Sequence, residues 1–426
     1  MRPPHIVLIG AGSALFGPET LRDILVCEAL RGSRVTLVDV HEEHLARVQA
    51  FGQALNRAAG AGCELQATTD RRQALPGADF VIVSVAVERE RLWKLDWEIP
   101  LKHGVRHVLG ENGGPGGLSH ALRNIPLMLD ICRDIEALAP NAWLLNYTNP
   151  LSRLCLAVAR HTRLKFVGLC HQIGAGYEIA STILGVPAAD LHIRAAGLNH
   201  FTWITDLRFA DGRDAYPAFR ERLAASDPAF MPLSRRLHDV YGLYPAVGDR
   251  HAGEYIGDAW REVGLDGYEF GMYENWVAGV WESIDAVLAG DEAEVETWLS
   301  EISGERGVPI IAALWTGANQ YEEAVNVVNG GAIANLPPGA IVEVPVVVGG
   351  GDIRPLCVGA LPTGIAALCA RQVVIQELTV EAAVTGDRRA ALQALCLDPV
   401  VPDTPTAQAV LDELLTVHAP YLPQWF

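Results

Sequence analysis

The sequence has 426 residues, of which 50% are hydrophobic and 20% charged, so it is long enough for two or three domains and apolar enough to fill a sizeable core. This composition excludes a wholly disordered chain. Aspartate and glutamate outnumber lysine and arginine by 51 to 33, which gives a formal net charge of −18. Because the chain is acidic and has no basic block, we expect neither nucleic acid nor an anionic membrane surface as its partner.

The start of the chain and its cysteines indicate a cytoplasmic protein. The apolar stretch at 5–9 is too short for the core of a secretion signal. No apolar run reaches the roughly 20 residues that a membrane span needs. The eight cysteines show no Cys-x-x-Cys spacing, so we expect reduced thiols rather than a disulfide framework.

The first part of the chain alternates short apolar strands with helices. We predict strands at 5–9, 34–39, 63–68, 79–85, 142–147 and 165–169, and helices at 18–30, 42–59, 120–138 and 150–161. Fully apolar strands that alternate with helices indicate an α/β protein with a Rossmann-like, doubly wound parallel sheet. We therefore place a nucleotide-binding domain at 1–195.

The remainder, 196–426, is predicted to form an α+β domain that carries substrate, catalytic and oligomerisation functions. Its segment 200–260 is rich in aromatic residues, His, Asp and Pro and shows weak periodicity. Further on, we predict helices at 283–303, 308–328, 362–386, 387–395 and 405–418, and a strand pair at 340–348. We expect the active cleft to lie between the two halves.

A glycine turn joins the first strand to the first helix. Gly10 allows a tight turn, and Gly12 lets a pyrophosphate approach the backbone at the positive end of the helix. The third glycine of the G-x-G-x-x-G fingerprint is replaced by Leu15. Asp39 ends the second strand, where its carboxylate can accept from ribose hydroxyls and repel a 2′-phosphate. NAD is thus favoured over NADP, with a merely structural turn and a helix-capping Asp39 as alternatives.

Polar segments lie where predicted strands end or loops begin, at 110–117, 146–150, 168–174 and 197–203. The carboxyl ends of strands in an open parallel sheet meet at one edge, where ligands bind. Cys170 and His200 are therefore candidate metal ligands from neighbouring loops, since thiolate and imidazole suit a borderline divalent metal. A buried thiol and a core histidine without a metal are the alternative.

These motifs resemble family 4 of the glycoside hydrolases. The sequences GAGS, NYTNP, Cys-His after a strand, GLNH and the C-terminal run from LPPGAIVEVPVVV to ALCLDPVV fall in the family's order over essentially the whole chain. The resemblance implies a fold that is lactate and malate dehydrogenase-like overall. It also implies NAD and a divalent cation, usually Mn²⁺, as cofactors, a small-molecule glycoside as substrate, and a homodimer or homotetramer.

The reaction that the resemblance implies is a redox-assisted elimination, which differs from glycoside hydrolysis by two carboxylates. Hydride passes from C3 of the sugar to NAD⁺, and the resulting ketone acidifies the C2 proton. A base removes that proton while the metal polarises the sugar oxygens. The aglycone then leaves, water adds to C1, and the hydride returns.

The family's functional positions carry over residue by residue. Cys170 and His200 match the metal ligands, and Asn149 matches a contact to a substrate hydroxyl. Glu111 lies in the segment that borders cofactor and sugar. His171 occupies the position near the leaving group, which makes it a candidate acid or substrate contact. The cofactor turn is matched by Gly10, Gly12, Ser13 and Phe16, with Asp39 on the ribose.

The base that removes the C2 proton is less sharply marked. The family often uses a Tyr, and in some members an Asp, in the loop that opens the second half. We prefer Tyr241 for its offset from Pro245, with Asp249 second and Tyr244 as a further candidate. Because a free tyrosine has a pKa of about 10, activation of C2 by the metal and a nearby cation would be needed. The alternative is that tyrosines of this loop pack over the cleft.

The substrate is predicted to be an unphosphorylated α-galactoside or α-glucoside, with an α-hexuronoside as the alternative. Relatives that act on 6-phosphosugars resemble one another in CNVP or CDMP, whereas this chain has CHQI. Trp93 and Leu95 stand where basic residues are expected, although Arg89 and Arg91 could still serve. Gln172 could bind a neutral hydroxyl or a carboxylate.

Two functions of other classes compete with this interpretation. An NAD-dependent 2-hydroxy acid dehydrogenase would share the Rossmann-like half, but it needs a His-Asp pair and an arginine clamp rather than a Cys-His metal pair. A non-catalytic NAD sensor would leave the polar residues at 146–150, 170–171 and 199–200 without a role.

Overall fold

The computed structural model describes residues 2–267 and 270–425, whose strands join into a single sheet. The strands are β1 His5–Ile9, β2 Arg34–Val38, β3 Glu64–Thr68, β4 Phe80–Val83, β5 Trp143–Asn146, β6 Lys165–Gly168, β7 Leu191–Leu198, β8 Phe201–Phe209, β9 Gln320–Val328, β10 Ile341–Gly349 and β11 Asp352–Pro355.

The helices of the N-terminal half are α1 Gly17–Val26, α2 Glu42–Ala59, α3 Arg71–Ala74, α4 Arg89–Lys102, α5 Gly114–Leu138, α6 Leu151–His161 and α7 Gln172–Leu184. Those of the C-terminal half are α8 Tyr216–Ala225, α9 Pro232–Tyr241, α10 Asp249–Ala252, α11 Trp260–Val263, α12 Phe270–Ala289, α13 Glu292–Ser300, α14 Gly307–Thr316, α15 Thr363–Thr385, α16 Arg388–Leu397 and α17 Thr404–Val417.

The first six strands form a parallel sheet in the order β3-β2-β1-β4-β5-β6. This is the strand order of the Rossmann fold, so the predicted doubly wound sheet is confirmed. The five residues of β1 are all buried. Alternate residues of β1 enter two different apolar clusters, Ile6 and Leu8 one, Val7 and Ile9 the other. The sheet is therefore covered on both faces, as parallel sheets require.

The C-terminal half extends the same sheet with antiparallel strands. β9 lies beside β6, where Gly168 pairs with Asn326, and β10, β7 and β8 follow outward. β11 forms a hairpin with β10. The boundary that we place near residue 195 falls inside β7.

One predicted helix, 308–328, is wrong over its second half. α14 ends at Thr316, because Gly317 adopts a left-handed conformation with φ of +75° and caps the helix. The chain then forms β9, which pairs with β10 across the loop 329–340. The predicted helix 283–303 is likewise broken, since a left-handed Gly290 separates α12 from α13.

The predicted strand pair at 340–348 is a single strand, β10, whose antiparallel neighbours are β9 and β11. The helices at 362–386, 387–395 and 405–418 match α15, α16 and α17 closely. Within the two described ranges, we find no helix that is both long and apolar enough to cross a bilayer.

Candidate active site

The glycine turn after β1 is closely packed. Gly10 has φ of +94°, and a Cβ on it would lie 1.9 Å from the Ser84 carbonyl oxygen. The N–H of Gly12 donates to Asp39 Oδ2 at 2.8 Å. Gly17 opens α1, and a Cβ there would lie 2.0 Å from the Ala11 carbonyl oxygen. Gly17 therefore allows the close packing of turn and helix that the third glycine of the fingerprint, here replaced by Leu15, would otherwise provide.

Asp39 holds this turn from the end of β2. Its Oδ2 binds Gly12, and its Oδ1 accepts from the N–H of His41 at 2.9 Å. Since α2 begins only at Glu42 with His41 as its N-cap, Asp39 is not the cap of that helix. Ser13 donates its N–H to the Gly10 carbonyl at 3.2 Å, so it lies within the turn.

Phe16 joins the turn to the segment that follows β5. Its ring centroid lies 4.5 Å from that of Tyr147. The Tyr147 hydroxyl in turn accepts from the N–H of Gly307, at the start of α14, at 2.8 Å. The turn after β1, the loop after β5 and the C-terminal half thus meet at the carboxyl edge of the sheet.

The loop after β5 meets the loop that precedes α5. Asn149 donates its side-chain amide to Glu111 Oε1 at 3.2 Å, and Arg89 donates to the same oxygen at 2.7 Å. Glu111 is buried. Burial on its own raises the pKa of Glu111, but Arg89 and neighbouring imidazoles outweigh it and hold this pKa at about 2. Glu111 is therefore a carboxylate at neutral pH.

Cys170 and His200 lie together, as the sequence predicts. Cys170 follows β6, and its Sγ lies 3.6 Å from His200 Nε2. His200 is the second residue of the two-residue turn between β7 and β8, with φ of +60°, a left-handed conformation that costs energy in a residue other than glycine. Burial raises the pKa of the Cys170 thiol, an effect that a coordinated cation would reverse.

A buried carboxylate in the adjacent strand β10 binds the β7–β8 turn. Glu343 of β10 accepts from the side-chain amides of Asn199 and Asn326, both at 2.8 Å. Asn199 lies in the turn itself, and Asn326 lies in the neighbouring strand β9. These contacts fix the residue before His200 and so help to hold its backbone in place.

His251 and Glu254 complete the cluster, and sequence reasoning assigned neither of them a role. Ligand atoms of Glu111, His200 and His251 all lie within 4.8 Å of one another. Burial lowers the pKa of His200 and of His251 to about 4, so both imidazoles are neutral at physiological pH, the charge state in which histidine binds metals. Burial, with Glu111 nearby, raises the pKa of Glu254 to about 7.

The three candidates for the base lie outside this cluster. Tyr241 ends α9, and its ring packs on Trp203 at 5.8 Å between centroids and on Gly364 at the start of α15. Tyr244 is fully buried, and burial raises its pKa. Asp249 accepts from the N–H groups of Leu233 and Ser234 at 2.9 and 2.8 Å, so it binds the first turn of α9.

His171 and Gln172 mark the start of α7. His171 is exposed, and its Nδ1 lies 3.0 Å from Glu305 Oε1. This contact raises the pKa of His171. Gln172 is buried, and its Oε1 has no hydrogen-bond partner among the described residues.

The fold and the cluster at its sheet edge define an α/β enzyme with a Rossmann-like half. Residues 5–185 match the pattern of family 4 glycosyl hydrolases, and residues 195–401 match the C-terminal domain of the same family. The chain belongs to glycosyl hydrolase family 4, a family of glycosidases.

Relatives that align over nearly the whole chain act on several sugars. The chain is 35% identical to an alpha-glucosidase of Erwinia rhapontici, over 98% of both chains. It is 32% identical to an alpha-galactosidase of Bacillus subtilis, over 99% of both. It is 30% identical to an alpha-galacturonidase of Bacillus subtilis, over 96% of both.

Solved structures agree with the fold. A putative glucosidase of Bacillus subtilis superposes with a TM-score of 0.87 at 28% identity, over 97% of this chain and 100% of that one. A 6-phospho-alpha-glucosidase from gut microorganisms, solved with NAD and Mn²⁺, superposes with a TM-score of 0.85 at 22% identity over 100% of both chains. A malate dehydrogenase of Plasmodium falciparum superposes with a TM-score of 0.52 at 12% identity, over 89% of this chain and 98% of its own. The expected likeness to dehydrogenases is thus a likeness of fold.

Proposed function

We propose that this protein is an NAD- and Mn²⁺-dependent glycosidase that cleaves an unphosphorylated α-galactoside or α-glucoside. One observation carries the proposal. The Cys170–His200 pair and the Glu111–Asn149 contact lie at the same edge of the sheet as the glycine turn of β1. A site for a nucleotide, a cation and a sugar in one cleft is what redox-assisted glycoside cleavage requires.

The glycine turn fits NAD. Gly10 and Gly17 allow backbone contacts that a Cβ would block, which leaves the amino end of α1 open to a pyrophosphate. Asp39 uses each carboxylate oxygen once within the protein and retains further lone pairs for the ribose hydroxyls. Its charge would repel a 2′-phosphate, so NAD is preferred to NADP.

The donor set fits a borderline divalent cation. Cys170 offers a thiol and His200 a neutral imidazole whose Nε2 faces it at 3.6 Å. Glu111 and His251 each offer a ligand atom within 4.8 Å of one on His200, and the rings of the two histidines lie 4.4 Å apart between centroids. His200 thus joins the sulfur of Cys170 to the nitrogen and carboxylate oxygen of His251 and Glu111, a set of donors that suits Mn²⁺ or a neighbouring first-row ion. Wild-type protein that fails to bind Mn²⁺ would contradict this part of the proposal.

The chain's own residues position the sugar and move protons. When bound, NAD supplies the redox chemistry at C3 and the cation polarises the adjacent sugar oxygens. Asn149 and Glu111 face the same space and can hold sugar hydroxyls. We assign protonation of the departing glycosidic oxygen to His171, a role that its contact with Glu305 supports.

Tyr241 is kept as the first candidate for the base at C2. Asp249 is bound to the backbone of α9 through both carboxylate oxygens, which leaves it less free to take a proton. Tyr244 lies in an apolar cluster with Phe219, and burial raises its pKa. The half-buried side chain of Tyr241 is therefore the most accessible of the three.

The contacts of helix α4 favour an unphosphorylated sugar. Arg91 is bound to Glu88 at 2.6 Å and to the Tyr421 hydroxyl at 2.7 Å. Trp93 is buried and donates to the Leu109 carbonyl at 3.0 Å, and Leu95 packs against an apolar cluster. Arg89 of the same helix is bound to Glu111 Oε1 at 2.7 Å. At the positions where a phosphate would require cations, the helix therefore offers two arginines already paired with carboxylates, and apolar side chains. An α-hexuronoside remains the second candidate, since an alpha-galacturonidase is among the relatives.

The same proposal includes a cytoplasmic location and a homodimer or homotetramer. All eight cysteines are unpaired thiols, which suits a reducing compartment. Met272 and Trp276 of α12 expose more than half of their surface, a feature of contact surfaces between subunits. Light scattering on the purified protein tests the oligomeric state.

The decisive experiment measures release of p-nitrophenol from p-nitrophenyl α-glycosides with NAD⁺ and Mn²⁺ added together, singly or not at all. We expect release only when both are present. A panel of galacto, gluco, galacturono, glucurono and 6-phosphogluco substrates then identifies the sugar. Steady accumulation of NADH from a 2-hydroxy acid, without glycoside cleavage, would favour the dehydrogenase function instead.

A further inference from the structure

Glu254 is a buried carboxylate whose two oxygens have very different surroundings. Its side chain is fully buried in the helical turn Gly253–Tyr255. Oε2 accepts three successive backbone N–H groups, from Glu111 at 2.8 Å, Asn112 at 2.7 Å and Gly113 at 2.9 Å. Oε1 has no hydrogen-bond partner among the described residues.

The bound oxygen fixes the loop that carries Glu111. Three N–H groups that converge on one carboxylate oxygen leave that loop little freedom. The loop also packs closely against Glu254, since a Cβ on Gly113 would lie 2.8 Å from Glu254 Cβ and 2.5 Å from its carbonyl oxygen. The position of Glu111 in the cleft therefore depends on Glu254.

The unpartnered oxygen faces two imidazoles. Oε1 lies 3.8 Å from Nδ1 of His200 and 3.9 Å from Nδ1 of His251. Nδ1 of His251 is also without a partner among the described residues. Buried polar atoms without partners are costly, and an imidazole N–H that turned toward the carboxylate would supply the missing partner of Oε1.

The contacts of His200 indicate which of its two ring nitrogens carries the proton. Asn112 Nδ2 lies 3.1 Å from His200 Nδ1, and Asn112 Oδ1 accepts from the N–H of Leu151 at 3.2 Å, which fixes the orientation of the amide. An amide that donates to Nδ1 makes that nitrogen an acceptor, so the proton of the ring is on Nε2, toward Cys170. A histidine binds a metal through Nε2 only when its proton is on Nδ1.

We propose that Glu254 is the positioning residue that accepts the Nδ1 proton of His200 when a metal occupies Nε2, and that it couples the cation site to the loop of Glu111. The inference rests on the function proposed above. Metal-bound histidines commonly donate their other N–H to a carboxylate, which sets the tautomer and the ring orientation. Closure of Oε1 onto Nδ1 needs a shift of about 1 Å to reach hydrogen-bond distance.

The test is Glu254→Gln in the full-length protein. The glutamine carbonyl oxygen can keep the three backbone N–H groups, but its amide presents a donor to Nδ1 in place of an acceptor. Mn²⁺ affinity, measured by electron paramagnetic resonance titration, is expected to fall about 10–100-fold, with NAD⁺ affinity unchanged within twofold. Unchanged Mn²⁺ affinity in a folded Glu254→Gln protein would overturn the inference.

Asp398→Asn is the matched control. Asp398 is another buried carboxylate that binds this part of the chain, through the N–H of Gly114 at 3.1 Å and that of Val400 at 3.1 Å. It makes no contact with His200 or His251 in the described structure. We expect lower thermal stability but wild-type Mn²⁺ affinity. Equal loss of Mn²⁺ affinity in both variants would show that loop disorder, and not the Glu254–His200 contact, is responsible.

A second measurement uses the wild type and so does not depend on a variant that folds. Long-range ¹H–¹⁵N spectra of histidine-labelled protein report the tautomer of His200, with Zn²⁺ as a diamagnetic substitute for Mn²⁺. We expect Nε2–H without metal and Nδ1–H with Zn²⁺. A His200 Nδ1 without a proton in the loaded protein would overturn the inference. Wild-type protein that binds neither ion would instead contradict the proposed function itself.

Discussion

The Sγ atom of Cys170 lies 3.6 Å from Nε2 of His200, although the two residues come from different kinds of segment. Cys170 follows a parallel strand of the N-terminal half, and His200 occupies a hairpin turn of the antiparallel extension. Because β6 and β7 are separated by β9 and β10 in the sheet, the pair forms only when both halves have folded together.

Replacement of Cys170 by serine is expected to abolish cation binding while NAD⁺ binding persists. A serine hydroxyl is a much poorer ligand for a borderline metal than a thiolate, so we expect Mn²⁺ affinity to fall by more than about 100-fold. Parallel titrations with Mn²⁺ and NAD⁺ measure the two effects. The control is Cys132→Ser, which removes a different thiol, buried in α5. Lost NAD⁺ binding with intact Mn²⁺ binding would reverse the assignment.

Two substitutions of Asp39 distinguish its role as a hydrogen-bond acceptor from the role of its negative charge in cofactor choice. Asp39→Ala removes the acceptor of the Gly12 N–H and of the ribose, so NAD⁺ affinity is expected to fall about tenfold or more, as for a lost hydrogen bond to a charged group. Asp39→Asn can keep an acceptor for Gly12 but removes the charge, so NADP⁺ binding should improve relative to NAD⁺. Calorimetry with both nucleotides measures the ratio. Equal NAD⁺ affinity in wild type and Asp39→Ala would limit Asp39 to a structural role.

The sequence predicted the parts of the site that follow from strand ends and from family motifs. The sequence predicts that four candidate residues lie at one edge of the sheet. The structure brings Cys170 beside His200, His200 beside Glu111, and Glu111 beside Asn149. Their roles in binding and catalysis stay predictions. Gly17 was missed because the turn between Gly12 and α1 is longer than the fingerprint assumes.

Other features depend on long-range packing that no local pattern reveals. The sequence of β9 resembles the continuation of a helix, because buried and exposed residues alternate only weakly along Gln320–Val328. Pairing with β6 and β10 makes this segment a strand. Glu254 is just as hard to recognise, since its partners Glu111–Gly113 lie far away in the sequence. A histidine and a glutamate three residues apart, His251 and Glu254, were the one local signal available.

Stability is expected to depend on a buried ion pair beneath the loops of the site. Arg123 of α5 binds Asp96 of α4 through two hydrogen bonds of 3.0 and 2.5 Å, and His418 Nε2 lies 2.9 Å from the same carboxylate. Burial alone raises the pKa of Asp96, but Arg123 and His418 outweigh it and lower this pKa to about 2. Asp96→Asn leaves Arg123 buried without its counter-charge and should cost about 3–5 kcal/mol in the free energy of unfolding.

The pH dependence of this cost follows from the direction of the shift. The pKa of Asp96 is lower in the folded than in the unfolded chain, so its contribution is complete above about pH 4 and is lost as the pH falls toward 2. Urea unfolding of wild type and Asp96→Asn should therefore show a constant difference from pH 8 to 5 and a smaller one below about pH 4. Glu98→Gln, at an exposed position of the same helix, is the control. A difference that grows as the pH falls would contradict the assignment.

The reaction itself is tested by isotope incorporation at C2 of the sugar. If a base removes the C2 proton, turnover in D₂O places deuterium at C2 of the released sugar, and NAD⁺ is required but not consumed. Displacement by two carboxylates leaves the C2–H bond untouched and predicts no label. NMR of the product from wild-type enzyme decides between them, and an unlabelled C2 in an active enzyme would exclude the elimination mechanism for this protein.

The same label distinguishes Tyr241 from Asp249 as the base at C2. Tyr241→Phe should suppress deuterium incorporation by about 100-fold or more, in the range of general-base catalysis, because it removes the hydroxyl and keeps the ring on Trp203. Asp249→Asn should mainly destabilise the protein, since this carboxylate binds the first turn of α9. Incorporation is therefore compared per folded, NAD⁺-binding molecule. Exchange that persists in Tyr241→Phe and disappears in folded Asp249→Asn would transfer the role of base to Asp249.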